Sequence, residues 1–355
     1  MEEHFQMKTF EPTISIMIPT YNRADRLEKA LLSLDKLDYP TEKIEVLVVN
    51  DGSKDNTEEV VKKLLGKMKY NLRYFYQQNK RLSAARNLAI KNSKNEVIVS
   101  IDDDMLFPKT WLKTLIKPLS DPKIGAVGGP SIAPSFASLF QRTVDYCMTS
   151  SFLGTGGMIG TTKYSLVKYY PRGGNMAIPK KVLDKVGLFD EKFIPAEEID
   201  LDKRIEKAGY GLALAKNAIV WHMPRASAKG FVKQIYSRGY MKSQFTKRHK
   251  DFELLYVLPM LGMLGLVAIL ALFLIQLFVR GEIVFSLEVS KFLPILNLVA
   301  LLALIDYAAL LIMDSFLAYK KIKSLRVFYL LPALMLTQHI VYGLGTFIGI
   351  FRSKY

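Results

Sequence analysis

The spacing of apolar and polar residues along the chain changes at about Asp251. In the first part, short apolar runs alternate with segments whose apolar residues recur every three or four positions, which predicts alternating strands and helices. From Leu254 to Phe351, three stretches are almost wholly apolar, and each exceeds the ~20 residues that a helix needs to cross a bilayer. The pattern therefore predicts a soluble α/β part followed by a membrane part.

The soluble part alternates between predicted strands and predicted helices. In chain order the strands are 14–18, 45–50, 72–76 and 97–101, and the helices are 23–34, 58–65 and 83–92. Such alternation predicts a mostly parallel sheet covered by helices. Ligands of these sheets bind at the carboxyl ends of the strands. Polar residues follow three of the predicted strands, at 19–22, 50–53 and 102–104.

The three apolar stretches predict transmembrane helices at about 254–279, 292–319 and 328–351. The alternative is that they are buried helices of a soluble domain. We therefore divide the chain into a soluble domain, a juxtamembrane segment and a transmembrane domain, at 1–225, 226–253 and 254–355.

Basic residues are concentrated beside the predicted membrane segments. The chain has a net charge of +16, and residues 229–250 carry seven Lys or Arg and no acid. Apolar residues at helical spacing in the same stretch, such as Phe231, Ile235 and Tyr240, predict an amphipathic helix on anionic headgroups. Because no nucleic-acid-binding motif accompanies this charge, we expect no nucleic acid partner.

The loops predict an orientation in the membrane. Lys320, Lys321, Lys323 and Arg326 lie between the second and third spans, whereas the loop between the first two spans has balanced charge. By the positive-inside rule, the soluble domain and the second loop face the cytosol and the C-terminus lies outside. The first residues lack the apolar core of a cleavable signal peptide, and the single Cys147 fits a reducing compartment. We expect a multi-pass protein of the cell membrane with a cytosolic catalytic domain.

The acidic triplet Asp102-Asp103-Asp104 follows the apolar run 97–101. Three adjacent carboxylates repel one another, so a cation should lie nearby. A strand that ends in carboxylates predicts a site for a hard divalent ion, Mn²⁺ or Mg²⁺ rather than Zn²⁺. Taken alone, the triplet is also compatible with a solvated acidic turn.

Seven motifs occur in an order that is typical of one protein family. They are Ile18-Pro19-Thr20-Tyr21-Asn22-Arg23, Val48-Val49-Asn50-Asp51-Gly52-Ser53-Lys54-Asp55-Asn56-Thr57, Ala85-Arg86-Asn87, Ile101-Asp102-Asp103-Asp104, Gly173-Gly174-Asn175-Met176-Ala177-Ile178, Val186-Gly187-Leu188-Phe189-Asp190-Glu191 and Glu197-Glu198-Ile199-Asp200-Leu201. Over about 14–222, the chain resembles the family 2 glycosyltransferases. The resemblance implies a GT-A fold with a Rossmann-like sheet, a nucleoside diphosphate sugar donor, a divalent metal and inversion at the anomeric carbon.

The resemblance also implies a nucleotide site. Asp51 matches the family carboxylate that hydrogen-bonds the base, and Pro19, Thr20 and Tyr21 would wall the same pocket. Arg86 either assists the phosphates or braces the acidic strand end, and both readings remain open.

The same resemblance implies a metal site and a sugar or acceptor site. Asp102 would contact the ribose or the hydrated metal, and Asp104 would ligate the metal that bridges the diphosphate. His222 stands where related enzymes sometimes place a third ligand, although a structural histidine is the alternative. Gly174 and Asn175 match the sugar- or acceptor-binding positions.

The pair Glu197-Glu198 is the second acidic centre. In the family, an acid at the position of Glu198 deprotonates the incoming hydroxyl, and a neighbouring carboxylate raises the pKa of such a base. Here the usual Glu-Asp is Glu-Glu, which leaves open whether Glu197 or Glu198 is the base. Two solvated charges at a helix start are the alternative.

These features predict a metal-dependent, membrane-anchored inverting hexosyltransferase. Its donor would be a UDP- or GDP-linked sugar, and its acceptor a lipid or lipid-linked saccharide at the cytosolic face, as in glycolipid or polysaccharide biosynthesis. One alternative is a polyprenyl phosphate acceptor, which is already an anion and needs no general base. Another is a non-catalytic membrane assembly or transport subunit with a sugar-nucleotide-binding domain.

Three further features lead to separate expectations. Arg81 stands where the family commonly has glycine, which predicts a differently shaped loop. The stretch 130–170 is rich in Ser, Thr, Gly and Met and fits a mobile acceptor loop. Asp306 and His339 fall near the middle of their spans, where polar groups need partners, so we expect them to hydrogen-bond to each other.

Overall fold

The chain is organised as two units, each with its own core. The computed structural model describes residues 10–150, 152–154, 171–192, 197–250, 254–278 and 287–352. The first unit contains the described residues up to Pro134 and those from 171 to Met223, and the second contains 135–154 and 224–352. The junction after Met223 lies next to the predicted boundary at 225, whereas 135–154 groups with the C-terminal helices.

The described strands all belong to the first unit. They are β1 (Ile14–Thr20), β2 (Ile44–Asn50), β3 (Asn71–Tyr76), β4 (Val97–Ile101), β5 (Met105–Leu106), β6 (Ile124–Gly128), β7 (Ser131–Ile132), β8 (Asn175–Pro179), β9 (Gly211–Leu214) and β10 (Val220–His222). One sheet has the order β3-β2-β1-β4-β8-β6-β9, in which β8 is antiparallel to both neighbours and the other pairs are parallel. Strands β5, β10 and β7 form a smaller second sheet. The predicted mostly parallel sheet is confirmed.

The described helices are divided between the two units. They are α1 (Ala24–Leu34), α2 (Thr57–Leu64), α3 (Leu82–Asn92), α4 (Trp111–Ile116), α5 (Leu139–Thr149), α6 (Lys180–Val186), α7 (Glu197–Lys207), α8 (Ala228–His249), α9 (Leu254–Phe278), α10 (Leu287–Ile322) and α11 (Val327–Phe351). Helices α1–α4, α6 and α7 belong to the first unit, and α5 and α8–α11 to the second.

The central strands are buried on both faces. Successive residues of β1 and β4 alternate between two apolar clusters: Ile16 and Val99 join one, and Met17 and Ile98 the other. A strand covered on both sides reads as a continuous apolar run, which explains the pattern in the sequence. Because β1 lies between β2 and β4 in parallel register, the carboxyl ends of these three strands reach one edge of the sheet.

Helices α9, α10 and α11 fall on the three predicted spans. Two of them contain a stretch long and apolar enough to cross a membrane, at Asn297–Ile322 and Val327–Phe351, and the apolar stretch recognised in α9, Val257–Ile269, is shorter. Helix α8 corresponds to the predicted basic juxtamembrane helix. The predicted C-terminal apolar helices are therefore present, and two of them are candidates to span a membrane.

The predicted hydrogen bond between Asp306 and His339 is wrong. The Nδ1 of His339 lies 2.9 Å from the Tyr307 hydroxyl and its Nε2 lies 2.8 Å from the carbonyl oxygen of Leu153, while Asp306 is exposed. Depth along a span does not determine the face on which a side chain lies, and Tyr307 instead of Asp306 faces α11.

The segment around α5 is held by the C-terminal helices. The Tyr146 hydroxyl and the Ser150 hydroxyl donate to the buried carboxylate of Asp314 on α10, at 2.8 and 2.6 Å. The first part of the predicted acceptor loop, up to 154, therefore includes an ordered helix. Residues 155–170 of that loop lie outside the described residues.

Candidate active site

The polar strand ends meet at one edge of the main sheet. Asp51 follows β2, the acidic triplet follows β4, and Thr20 ends β1 between them. Pairing of Thr20 with Asn50 brings the ends of β1 and β2 side by side. The paired glutamates begin α7, and Arg86 of α3 connects them with Asp102.

Asp51 is buried, and both of its oxygens accept hydrogen bonds. Its Oδ1 accepts from the Gln77 side chain at 2.7 Å and from the Lys80 backbone N–H at 2.9 Å, and its Oδ2 accepts from the Arg81 backbone N–H at 3.0 Å. The carboxylate thus fixes the loop between β3 and α3. Oδ2 accepts only one of these bonds and has a second lone pair, so a base could still be bound there.

The three residues predicted to wall the nucleotide pocket differ in accessibility. Pro19 and Thr20 are buried within β1, and the Thr20 hydroxyl donates to Asp103 at 2.8 Å. Tyr21 is 43% exposed. Of the three side chains, only that of Tyr21 is freely available to a ligand.

Asp103 is turned toward β1 and α1. Its carboxylate accepts from Thr20 and from Arg23, whose Nη1 lies 2.9 Å away, and the residue is 3% exposed. Through these contacts Asp103 joins the ends of β1 and β4.

Two arginines face one oxygen of Asp104. Its Oδ2 lies 3.2 Å from Arg23 and 3.3 Å from Arg26. Burial alone would raise the pKa of Asp104, but His222 and the two arginines outweigh it and lower the pKa. The group is therefore a carboxylate at neutral pH.

The other oxygen of Asp104 is suited to a cation. Oδ1 is buried and has no hydrogen bond among the described residues, and the His222 Nε2 lies 3.4 Å from it. A buried carboxylate oxygen beside an imidazole nitrogen is a donor pair that a divalent metal can use. Within the described ranges, no three His, Cys, Asp or Glu side chains are already arranged as ligands, so Asp102 would have to join this pair.

Asp102 is recessed but still accessible. Its side chain is 36% exposed, and its Oδ1 lies 3.5 Å from Nη2 of Arg86. Desolvation by the surrounding protein raises the pKa of Asp102, Arg86 and His222 lower it, and Asp104 and Glu198 add to the rise. Negative charge accumulates here, which a bound cation would relieve.

Arg86 braces the acidic centre. It is 2% exposed, its Nη1 lies 2.7 Å from Glu197, and its guanidinium stacks over the Phe189 ring at 5.3 Å. A side chain sealed in this way cannot reach a phosphate without rearranging. Of the two readings left open by the sequence, the structure favours bracing.

The two glutamates of α7 have different environments. Glu197 is 2% exposed and paired with Arg86, whereas Glu198 is only half-buried. Burial and the charge of Glu198 raise the pKa of Glu197 to about 7, and Arg86 limits the rise. An incoming hydroxyl has better access to Glu198.

Gly174 lies against the Asp102 carboxylate, and Asn175 is hydrogen-bonded within the fold. A Cβ on Gly174 would collide with the Asp102 carboxylate, and one on Gly173 would lie 2.5 Å from the Arg86 guanidinium. Asn175 is buried, donates to the Ala218 carbonyl at 2.9 Å and accepts from the Trp111 indole at 2.9 Å. The glycines make room for the charged cluster, and Asn175 supports the fold in place of facing a ligand.

Arg81 retains a backbone shape that glycine favours. Its φ of 73° and ψ of 173° lie in a region that is almost exclusive to glycine. Arg81 thus adopts a conformation that glycine would adopt without strain, and the differently shaped loop stays a prediction.

Arg23, Arg26 and Gln77 were not recognised from the sequence as site residues. Arg23 directly precedes α1 and Arg26 lies one turn further on, so both reach the triplet from the amino end of a helix. The motif Asn22-Arg23 after β1 does mark Arg23 in the sequence. Its partners are not evident there, because the acids that accept hydrogen bonds from Arg23 and Arg26 lie nearly 80 residues away.

The sheet order, with an acidic cluster at the carboxyl ends of its strands, is that expected of a GT-A fold. Residues 15–186 match the model of the family Glycosyl transferase family 2. Residues 15–186 thus form a family 2 glycosyltransferase domain, as the motifs predicted.

Similar proteins agree with this assignment. Glycosyltransferase AglE of Haloferax volcanii is 28% identical over 226 residues, which cover 63% of this chain and 71% of that protein. A Methanococcus voltae enzyme named dolichyl N-acetyl-alpha-D-glucosaminyl phosphate 3-beta-D-2,3-diacetamido-2,3-dideoxy-beta-D-glucuronosyltransferase is 26% identical over 252 residues, covering 69% and 77%.

A solved structure has the same fold. The mannosyltransferase PcManGT from Pyrobaculum calidifontis, in complex with GDP-Man and Mn²⁺, superposes with a TM-score of 0.58 at 20% identity. The match covers 98% of this chain and 89% of that chain. At this identity, the likeness concerns the fold.

Proposed function

We propose that the protein transfers a sugar from a nucleoside diphosphate sugar to a lipid or lipid-linked saccharide, with inversion, at the cytosolic face of the cell membrane. The observation that carries the proposal is the cluster of Asp102, Asp104, His222 and Glu198 at the carboxyl edge of the sheet. The name of the Methanococcus relative includes a dolichyl-linked sugar phosphate, and the Pyrobaculum structure contains GDP-Man and Mn²⁺. Both support the proposed substrate classes.

Asp104, His222 and Asp102 would hold a divalent metal, Mn²⁺ or Mg²⁺. The unsatisfied Oδ1 of Asp104 beside His222 supports this assignment. When bound, the metal would neutralise charge on the departing diphosphate. His222, Arg23 and Arg26 lower the pKa of Asp104 and keep it ionised, and Asp51 with the exposed Tyr21 would bind the nucleotide.

Glu198 would act as the general base. It would accept the proton of the acceptor hydroxyl while that oxygen bonds to the anomeric carbon, and the bond to the diphosphate breaks with its electron pair on the leaving group. Glu197, held by Arg86, would keep α7 in position. This division of roles follows from the burial of Glu197 and the partial exposure of Glu198.

The variant Glu198→Gln tests the base. With a hydroxyl acceptor, we expect turnover to fall by ~10²-fold or more while nucleotide binding is kept. Glu59→Gln, on the exposed surface of α2, is the matched control and should behave as wild type. Near-wild-type turnover of Glu198→Gln would favour the polyprenyl phosphate alternative, which needs no base.

A donor and acceptor screen tests the function as a whole. Detergent-purified protein would be incubated with UDP- and GDP-sugars, Mn²⁺ and membrane lipids, and the lipid fraction analysed by mass spectrometry. We expect one donor to add one sugar to a lipid species. Nucleotide binding without sugar addition from any donor would instead support a non-catalytic assembly or transport subunit.

A further inference from the structure

Helices α8 and α11 of the second unit lie side by side and run in the same direction. The Ser243 hydroxyl donates to the Thr346 carbonyl at 2.8 Å, and the Gln244 amide donates to the carbonyls of Gly349 and Arg352 at 2.7 and 2.9 Å. Earlier in both helices, Gly345 packs against the Tyr236 carbonyl. The C-terminal part of α11 is therefore covered by α8 up to its last turn.

Helix α8 is too basic to lie in hydrocarbon. Between Ala228 and His249 it contains six Lys or Arg and no Asp or Glu, and Lys250 follows. Charged side chains are costly in the hydrocarbon core of a bilayer, and this many basic residues on one helix make its insertion there unfavourable. Because α8 stays at the level of headgroups and water, the part of α11 that it covers must lie at that level too.

The other end of α11 is also basic. The turn before it carries Lys320, Lys321, Lys323 and Arg326. The Arg142 guanidinium of α5 donates to the Ile322 carbonyl at 3.0 Å, which adds a further positive charge beside this turn. Under the positive-inside rule, basic groups at both ends place both ends on one side of the membrane.

The two faces of α11 fit a helix that lies along the membrane surface. On one face, Tyr342, Gly345, Thr346 and Gly349 are buried. On the opposite face, large apolar side chains are exposed, at Leu336, Ile340, Leu344, Ile350 and Phe351. A helix with this pattern can place its apolar face among acyl chains while α8 presents its charges to anionic headgroups.

We propose that α11 lies in the cytosolic interface of an anionic bilayer together with α8, so that the C-terminus is on the same side as the catalytic unit. Helices α9 and α10 are then the pair that crosses the membrane. This arrangement reverses the external C-terminus expected from three crossing spans. It concerns membrane topology and holds whichever sugar or acceptor is used.

Single cysteines introduced into the full-length protein in native membranes test the arrangement. Lys62→Cys on the exposed face of α2 reports the catalytic side, Lys354→Cys reports the C-terminus, and Glu282→Cys reports the connection between α9 and α10. A membrane-impermeant maleimide would be applied to intact cells and to inverted vesicles. The native Cys147 is buried and provides the unlabelled background.

We expect Lys354→Cys to label in the same preparation as Lys62→Cys, and Glu282→Cys to label in the other. Labelling of Lys354→Cys together with Glu282→Cys would overturn the proposal and restore three crossing spans. Labelling of all three from one side would also overturn it, because α9 and α10 would then not cross. Labelling after detergent treatment measures the total reactive cysteine of each variant and shows that the introduced cysteine can react with the maleimide.

Discussion

Polar side chains at the sheet edge fall into two groups according to their partners. Thr20, Asp103 and Asn175 have their hydrogen-bonding groups occupied within the protein. Asp102 is partly exposed, and Asp104 keeps one oxygen without a hydrogen bond among the described residues. Residues of the first group hold the strand ends in place, and those of the second are the candidates for contact with substrate or metal.

Arg81 stores strain that glycine would release. Its backbone conformation costs ~1–3 kcal/mol for a residue with a Cβ, and glycine loses ~0.5–1 kcal/mol through its greater freedom in the unfolded chain. Arg81→Gly should therefore raise stability by about 1 kcal/mol, measured by thermal unfolding in detergent. Its backbone N–H would still bind Asp51.

Lys80→Gly is the matched control for Arg81→Gly. It removes the same charge from the same loop at a position without a positive φ, so it should lower stability by ~0.5–1 kcal/mol. A loss of stability in both variants would show that the arginine side chain itself holds the loop.

Asp202 is a buried acid whose effect on the stability of the protein depends on pH. It is 0% exposed, and neither of its oxygens has a hydrogen-bond partner in the part of the chain that the structure describes. Burial, with the charges of Glu198 and Glu206, raises the pKa of Asp202 well above its usual value. Asp202 therefore contributes most favourably to the free energy of unfolding below pH ~4, its ordinary pKa in the unfolded chain. This contribution is lost as the pH rises through the higher pKa that Asp202 has in the folded protein.

Asp202→Asn should accordingly match wild type in stability near pH 4 and exceed it increasingly at higher pH, in unfolding curves recorded across pH. Asp200→Asn is the control on the same helix. Asp200 is equally buried but accepts a hydrogen bond from Arg204 at 3.0 Å, so its replacement should destabilise the protein at neutral pH. Parallel curves for wild type and Asp202→Asn would contradict the assignment.

At the scale of elements, α8 and α11 depend on glycine for their close approach. A Cβ on Gly345 would collide with the Tyr236 carbonyl and lie 3.0 Å from the Tyr240 amide nitrogen. Gly345→Ala should lower stability by ~1–3 kcal/mol, because the helices must separate. Thermal unfolding in detergent measures the loss.

Gly265→Ala serves as the helical control for this prediction. Nothing lies within 4 Å of the added Cβ at Gly265, and alanine favours helix over glycine by up to ~1 kcal/mol. We expect stability to be unchanged or higher. Equal losses in the two variants would mean that helix packing is not the cause.

For the molecule as a whole, metal binding links the acidic triplet to catalysis. Removing divalent ions with a chelator should abolish sugar transfer, and added Mn²⁺ should restore it. Asp104→Asn should stay inactive at Mn²⁺ concentrations that restore wild type, and Asp38→Asn, whose side chain is 64% exposed, should respond as wild type. Full activity in chelator would refute the metal site.

Some of the site could be predicted, and some could not. Asp51 and the triplet were identified because each directly follows an apolar strand. The buried role of Asn175, the pairing of Arg86 with Glu197 and the contribution of Arg23 and Arg26 were not, because those partners lie tens of residues away in the sequence.

The alternation of strands and helices, the apolar C-terminal helices and the acidic strand ends follow from the amino-acid sequence alone, because all three depend on local periodicity. Which side chains meet depends on the tertiary fold. Tyr307 contacts His339 in place of Asp306, Glu197 is sealed by Arg86, and α8 covers α11. Such contacts depend on the rotation and register of whole elements, which local spacing does not specify.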